Sequence, residues 1–303
     1  MTHDTSHIAG LLFPGQGAQY VGMGRALYEK SAAGRAVLDE AQGVLGGSFL
    51  KTLFEGPMEQ LTATDVSQPG IYAVSYAAYV AWKEQHPGAR VGAAAGLSLG
   101  EYTALTAAGC LPFADGVRLV RTRGQLMQEA AQKRPGAMAS VLSLDAEKVA
   151  EICGGLDGAH VANYNCPGQI VISGGKAAIE RASALCMQAG ARKVIPLQVS
   201  GAFHSPLMAE AQRRLLPLLE AVAWKQPAFP VLSNVTGIPH RGADGMAGTM
   251  ARQVVEPVRW EDDCRWMLVQ GITSFCELGP GKVLQGLMKK IEASVSVVSG
   301  EVF

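Results

Sequence analysis

Gly96-Leu97-Ser98-Leu99-Gly100 has the residue types and spacing of a nucleophile elbow. A small-residue and apolar run over residues 91–95 leads into it, and a helix-like run over 101–108 leads out. A strand-to-helix turn this tight leaves no room for a Cβ at the flanking positions, so glycine is needed there. The turn presents the serine hydroxyl at the top of a sheet. It also aims the next backbone N–H, that of Leu99, where an oxyanion would form.

A serine hydroxyl is a poor nucleophile until a base takes its proton, and histidine is the usual base because its ordinary pKa is about 6.5. Three histidines follow the elbow: His160, His204 and His240. His240 falls in the polar loop Pro239-His240-Arg241-Gly242 and reads as solvated. His160 opens a strand and reads as structural. His204, in Gly201-Ala202-Phe203-His204-Ser205-Pro206, falls where two folding units meet, and clefts form at such junctions.

Projected on a helical wheel at about 100° per residue, residues 113–131 place Phe113, Val117, Leu119, Val120, Leu126 and Met127 on one half. Arg118, Gln125, Gln128 and Glu129 occupy the other. Arg123 falls inside the apolar half. A buried guanidinium needs a partner. That partner is either a buried carboxylate of the chain or the carboxylate of a substrate, whose geometry the arginine fork matches. Gln16, on the glycine loop 15–19 after the first strand, is placed to help stabilise an oxyanion. That loop lacks the third glycine of a dinucleotide fingerprint, Tyr20 standing in its place.

The chain that must position these groups has 303 residues, 48% hydrophobic and 17% charged, with 26 basic and 26 acidic side chains. Zero net charge gives no general attraction to nucleic acid or an anionic membrane. Cys110, Cys153, Cys166, Cys186, Cys264 and Cys276 are scattered without C-x-x-C spacing, so no zinc or redox motif is expected. Residues 1–10 hold no apolar signal core, and no apolar run reaches membrane-spanning length. A cytoplasmic setting is expected, with no metal.

The predicted elements give the architecture. Strands at 8–13 and 91–95 and helices at 23–30, 70–85 and 113–132 precede a change of pattern at Gly136. Residues 137–199 then read β-α-β-β-α-β, the ferredoxin-like order. Beyond it come helices at 205–222, 246–253, 260–270 and 282–291 and strands at 230–233 and 273–278. We therefore expect an α/β fold: a large α/β domain with a mainly parallel sheet, residues 1–134 and 204–303, carrying an inserted small domain, residues 135–203, with the chain returning near Ser200.

Six stretches in order resemble the malonyl-CoA:acyl-carrier-protein transacylase family and the acyltransferase domains of polyketide synthases. They are Phe13-Pro14-Gly15-Gln16-Gly17-Ala18-Gln19, Gly96-Leu97-Ser98-Leu99-Gly100-Glu101-Tyr102, and Arg121-Thr122-Arg123-Gly124-Gln125-Leu126-Met127-Gln128. Then follow Asn163-Tyr164-Asn165-Cys166-Pro167-Gly168-Gln169, Ala202-Phe203-His204-Ser205 and Glu277-Leu278-Gly279-Pro280-Gly281-Lys282. The resemblance spans nearly the whole chain. It implies an α/β-hydrolase-like large domain, Ser98 as nucleophile and His204 as base and then acid. It further implies the Gln253 carbonyl as the group orienting His204, N–H groups of Leu99 and Gln16 as oxyanion hole, and Arg123 as clamp on the malonyl carboxylate. Phe203 resembles the residue of malonyl-selective members. Malonyl-CoA and an acyl carrier protein are the implied partners, with no cofactor beyond the CoA thioester, and a monomer is the default. Lys282, Lys289, Lys290, Arg192 and Lys193 are candidates for a basic carrier-docking patch. Two departures stand out: Leu97 where the family commonly has histidine, and Glu256 where many members have asparagine. The rival reading is a serine hydrolase or thioesterase sharing only the elbow, which would need a carboxylate third member.

Overall fold

The computed structural model describes residues 8–199 and 201–300; Ser200, where the chain is expected to return, lies outside them. The first sheet is built from β1 (Ile8–Phe13), β2 (Arg90–Gly96), β7 (Ser274–Leu278) and β8 (Ser296–Gly300), ordered β2-β1-β7-β8 and parallel throughout. Parallel sheets are covered on both faces, and the period-two side-chain alternation shows it here. Ala9, Leu11 and Phe13 of β1 enter one core, and Leu12 enters another on the opposite face.

The first face is covered by α5 (Thr64–Gln85), α6 (Leu99–Ala107) and α7 (Phe113–Lys133), preceded by α1 (Arg25–Lys30), α2 (Ala32–Leu45), α3 (Phe49–Glu55) and α4 (Met58–Thr62). The second face packs on α12 (Trp260–Val269) and α13 (Val283–Ile291). Ahead of α12 lie α10 (Ala209–Glu220) and α11 (Met246–Arg252).

The second sheet contains β3 (Ala137–Leu142), β4 (Ala159–Cys166), β5 (Gln169–Gly174) and β6 (Lys193–Pro196), ordered β4-β5-β3-β6 and antiparallel. Helices α8 (Ala146–Gly154) and α9 (Lys176–Gln188) complete the expected β-α-β-β-α-β order. Alternation again divides the sheet. Val141, Ile170 and Ile172 face α8 and α9, while Met138 and Val171 face the larger unit. The edge strand β4 is tied to that unit by main-chain bonds from Tyr164 N–H to the Val258 carbonyl (2.9 Å) and from Val258 N–H to the Ala162 carbonyl (2.8 Å).

Three expectations are corrected. The long helix begins at Thr64 and runs through Pro69, rather than opening at Gly70. A proline inside a helix forfeits its own N–H bond, and here the buried residues from Thr64 to Tyr72 hold the turn together regardless. Residues 230–233 form only isolated bridges, Val231 with Ala94 of β2 and Leu232 with Pro239, because Pro230 has no N–H to extend a ladder and the chain turns at Gly237, φ 69°. His240 is not solvated: its side chain is 3% exposed and meets Glu101.

Candidate active site

Ser98 stands between β2 and α6 with φ 54°, and the glycines around it are there for space. A Cβ on Gly96 would lie 1.9 Å from the Gly100 carbonyl carbon, and one on Gly100 would lie 2.0 Å from the Phe13 oxygen. Among the described non-glycine residues, positive φ occurs at Ser98, Ser143 and His204. Two of the three are therefore partners in one hydrogen bond. Backbone held in this region costs about 1–3 kcal/mol per residue and persists where surrounding structure fixes it.

Asn234 does that fixing at the elbow. Its Oδ1 accepts from Ser98 N–H (2.7 Å) and its Nδ2 donates to the Gly96 carbonyl (2.8 Å) and to Asp263 Oδ2 (2.8 Å). Burial and the nearby Glu101 charge hold the Asp263 carboxyl well above the usual carboxylate range.

Ser98 Oγ lies 2.8 Å from His204 Nε2. On the other side of the ring, Nδ1 is 2.8 Å from the Gln253 carbonyl oxygen and 3.2 Å from that of Glu256. Carbonyl oxygens only accept, so Nδ1 carries the proton and Nε2 is left to accept from Ser98. Burial, and next the Arg123 charge, push the His204 pKa down to about 4, against the two backbone bonds that favour its charged form. His204 is thus a neutral imidazole near pH 7. His160, on β4, lines a separate cavity with His204 and, among the described residues, makes no hydrogen bond to the pair, and His240 bonds to Glu101 instead.

Arg123 is 1% exposed, in the apolar half of α7. Among the described residues no carboxylate lies within ion-pair distance of it. Instead Nη1 donates to Gln68 Oε1 (2.7 Å), and Nη2 donates to Gln253 Oε1 (3.0 Å) and Ser98 Oγ (3.1 Å). Its Nε is buried without a partner. The guanidinium carbon lies 5.3 Å from the Tyr102 ring centroid. Burial lowers its pKa, but the group is basic enough to stay charged. A buried cation held only by neutral acceptors is what an incoming carboxylate would complete.

Ser98, Leu99, Arg123, Phe203, His204 and Gln16 all line one cavity of about 220 Å³, closed on its far side by residues of the antiparallel sheet such as Met138 and Asn163. Leu99 is the first residue of α6, and first-turn N–H groups have no intrahelical acceptor. Gln16 is half-buried, its Nε2 3.4 Å from Thr64 Oγ1. Phe203 is 6% exposed. Of the basic candidates, Lys290 donates to Gln169 Oε1 (2.9 Å), and Lys289 is tied to the carbonyl of Val295.

Sequence reasoning missed Gln68, Asn234, Glu101 and the Glu256 carbonyl. Gln68 had a signal, an amide within the apolar and small run Val66 to Ala81 of α5. The other three act through geometry that spacing does not carry. Since Glu256 contributes its backbone oxygen to His204, asparagine in its place would leave that contact possible.

Residues 11–300 match the model of the acyl transferase domain family. The malonyl CoA-acyl carrier protein transacylase of Bacillus subtilis (strain 168) is 42% identical over 294 residues, 95% of this chain and 92% of that protein. The protein of the same name from Staphylococcus aureus (strain MRSA252) is 40% identical over 95% of this chain and 94% of its own. Among solved structures, the malonyl CoA-acyl carrier protein transacylase of Coxiella burnetii superposes with a TM-score of 0.93 at 34% identity, covering 97% of this chain and 94% of that one. A type II PKS acyl-carrier protein in complex with its malonyl-transacylase gives 0.92 at 37% identity, with 97% and 96% covered.

Proposed function

We propose, from the premise that this chain belongs to the acyl transferase domain family, that it carries malonyl from malonyl-CoA to the phosphopantetheine thiol of an acyl carrier protein. The route is a covalent ester on Ser98, and the setting is fatty-acid or polyketide biosynthesis. One observation carries the reading: the Ser98 hydroxyl is hydrogen-bonded at once to a neutral histidine and to a buried arginine that has no counter-ion within reach among the described residues. The first contact makes a nucleophile. The second selects an acyl group that ends in a carboxylate.

In the first half-reaction, Ser98 Oγ attacks the thioester carbonyl carbon while its proton passes to His204 Nε2. The oxyanion faces the N–H groups of Leu99 and Gln16. The C–S bond breaks, and the Nε2 proton goes to the departing thiolate, giving free CoA and malonyl-Ser98. In the second half, the carrier thiol gives its proton to Nε2 and attacks the ester carbonyl. Ser98 Oγ leaves and takes the proton back. This is nucleophilic and acid–base chemistry with ping-pong kinetics and calls on no metal or organic cofactor. The Gln253 carbonyl stands where a triad would have a carboxylate, keeping Nδ1 protonated. When the malonyl carboxylate docks on Arg123 it offsets the charge that lowers His204, so the correct substrate strengthens its own base.

The larger unit, 1–134 with 204–303, is on this reading the α/β-hydrolase-like catalytic domain, and 135–203 the inserted domain that closes the acyl cavity. The chain acts as a monomer. A hydrolase or thioesterase would turn over simple esters without needing a carboxylate, and nothing in it would use Arg123. Intact-protein mass spectrometry after brief incubation with malonyl-CoA tests the choice. A single malonyl adduct absent from Ser98→Ala, with little acetyl adduct from acetyl-CoA, is expected. No adduct from folded protein would reject the transacylase.

A further inference from the structure

Beneath the elbow lies a buried polar layer of which the transfer steps use only Gln253. Its outermost member is His240, whose Nε2 lies 2.7 Å from Glu101 Oε1, both side chains being buried. The other Glu101 oxygen accepts from Gln253 Nε2 (2.6 Å) and from Asn234 N–H (3.2 Å). An ionised carboxylate only accepts, so His240 presents Nε2–H to it.

The two residues that Glu101 holds are the two on which the site geometry converges. Gln253 gives its carbonyl to His204 and its Oε1 to Arg123, while its Nε2 donates to Glu101 and to the Ser98 carbonyl (2.9 Å). The amide can face only one way, because its oxygen must meet the guanidinium and its nitrogen the carboxylate. Asn234, gripped by Glu101 through its main chain, pins Ser98 and Gly96 through its side chain. A carboxylate in a dry interior stays put only while every lone-pair direction is matched. Unmatched at Oε1, Glu101 would be drawn toward the positive charge of Arg123, which already feels it.

We propose that His240 is a positioning residue for the acyl transfer. By donating to Glu101 Oε1 it fixes the carboxylate that orients Gln253 and Asn234, and through them His204, Arg123 and Ser98. The proposal rests on the Ser98–His204 reading above.

The test uses the full chain with His240→Leu, His240→Gln and His240→Gly. Glutamine Nε2 is as many bonds from Cα as histidine Nε2 and can keep the donation to Glu101. His240 also lines a surface cavity of about 310 Å³ with Thr236, Arg241 and Thr249, so free imidazole can reach the space left by glycine. Malonyl-Ser98 formation is followed by rapid quench and intact mass. Labelling by a fluorophosphonate, which has no carboxylate and no CoA, is followed in parallel. His240→Leu is expected to slow both by about tenfold or more, as loss of a buried hydrogen-bond partner does. His240→Gln is expected to recover most of the loss, and His240→Gly to recover saturably with added imidazole. A His240→Leu chain that reacts at the unsubstituted rate overturns the proposal. So does a loss that neither glutamine nor imidazole repairs while melting temperatures stay together. Should His240→Leu fail to fold, equal rates in His240→Gln and imidazole-free His240→Gly overturn it. If the unsubstituted chain forms no malonyl adduct, the transacylase reading fails, and fluorophosphonate labelling still decides the role of His240.

Discussion

Arg123 Nη2 donates to the hydroxyl oxygen of Ser98 at 3.1 Å, so the fork that would hold the substrate's acid also touches the nucleophile. On the proposed reading the contact ties selectivity to chemistry. A carboxylate entering the cavity competes for the Nη2 donor and frees a lone pair of Ser98 for attack. A substrate without a carboxylate leaves the serine engaged.

Arg123→Ala should therefore separate two substrates. Hydrogen bonds to charged groups contribute about 1.5–3 kcal/mol each, so losing a two-bond clamp should lower kcat/KM for malonyl-CoA about 10²–10⁴-fold. With acetyl-CoA it should hold steady or rise, because the hydroxyl is released. Steady-state transfer from the two donors measures this, and equal losses would remove Arg123 from the clamp.

The pH dependence has a definite sign. A histidine can serve as a base only when neutral, and the His204 pKa in the folded chain is pushed down to about 4 by burial first and Arg123 second. Acylation from free enzyme and malonyl-CoA should be flat near neutrality and fall only as pH approaches about 4. On the proposed reading the carboxylate of bound malonyl offsets Arg123, so the acid limb of kcat should lie at higher pH than that of kcat/KM. Acetyl-CoA should show no such displacement. For stability, a histidine depressed from its ordinary 6.5 binds fewer protons folded than unfolded. Its contribution is present above about 6.5 and lost as pH falls toward about 4, an increment that His204→Gln would abolish in pH-dependent melting.

What could be read from the chain, and what could not, divides along physical lines. The elbow glycines and the buried Arg123 were legible because steric need and helical period act within a few residues. The β-α-β-β-α-β order was legible for the same reason. His240 was misread because loop composition says nothing of what packs over a loop, here Glu101, 139 positions away. Asn234 meets Ser98 across 136 positions, and no local period encodes that. The helices between Ala32 and Thr62 and the outermost strand β8 lie outside the predicted elements, although α2 carries a local signal, the Ser31 side chain accepting from Gly34 N–H at its start and Val37, Leu38 and Ala41 buried along one face.

Asn234→Ala strands Ser98 N–H and the Gly96 carbonyl in the interior. Each stranded buried group costs about 1–3 kcal/mol. Calorimetry should show melting lowered by several degrees. Fluorophosphonate labelling of Ser98 should slow by about tenfold or more, because the strained serine loses what holds it. A destabilised variant with unchanged labelling would make Asn234 purely structural.

Two glycine-to-alanine changes should act in opposite directions. In Gly100→Ala the new Cβ meets the Phe13 carbonyl oxygen at 2.0 Å, backbone against backbone, with no rotamer to yield. That variant should fail to reach the native fold, judged by circular dichroism and cooperative melting. Gly43, exposed near the end of α2, has nothing within 4 Å of its Cβ position. Gly43→Ala should raise stability by about 0.4–1 kcal/mol in urea titration, chiefly by restricting the unfolded chain.

On the proposed reading Phe203 limits how much acyl group the cavity admits. Its ring is 6% exposed, beside His204 on the cavity wall and part of the main core. A ring there occupies space that a branch at the α-carbon of the acyl group would enter. Phe203→Ser should raise the preference for methylmalonyl-CoA relative to malonyl-CoA about 10–100-fold, the 1–3 kcal/mol that one methyl-sized difference commands. Malonyl transfer itself should fall less than tenfold, because Arg123 and Ser98 keep their partners. The variant should also melt lower, since removing a buried ring leaves a cavity worth about 3–5 kcal/mol at most. Intact-mass competition between equimolar donors reads the ratio directly. An unchanged ratio would shift the size limit to Met127 and Val199, which line the same cavity.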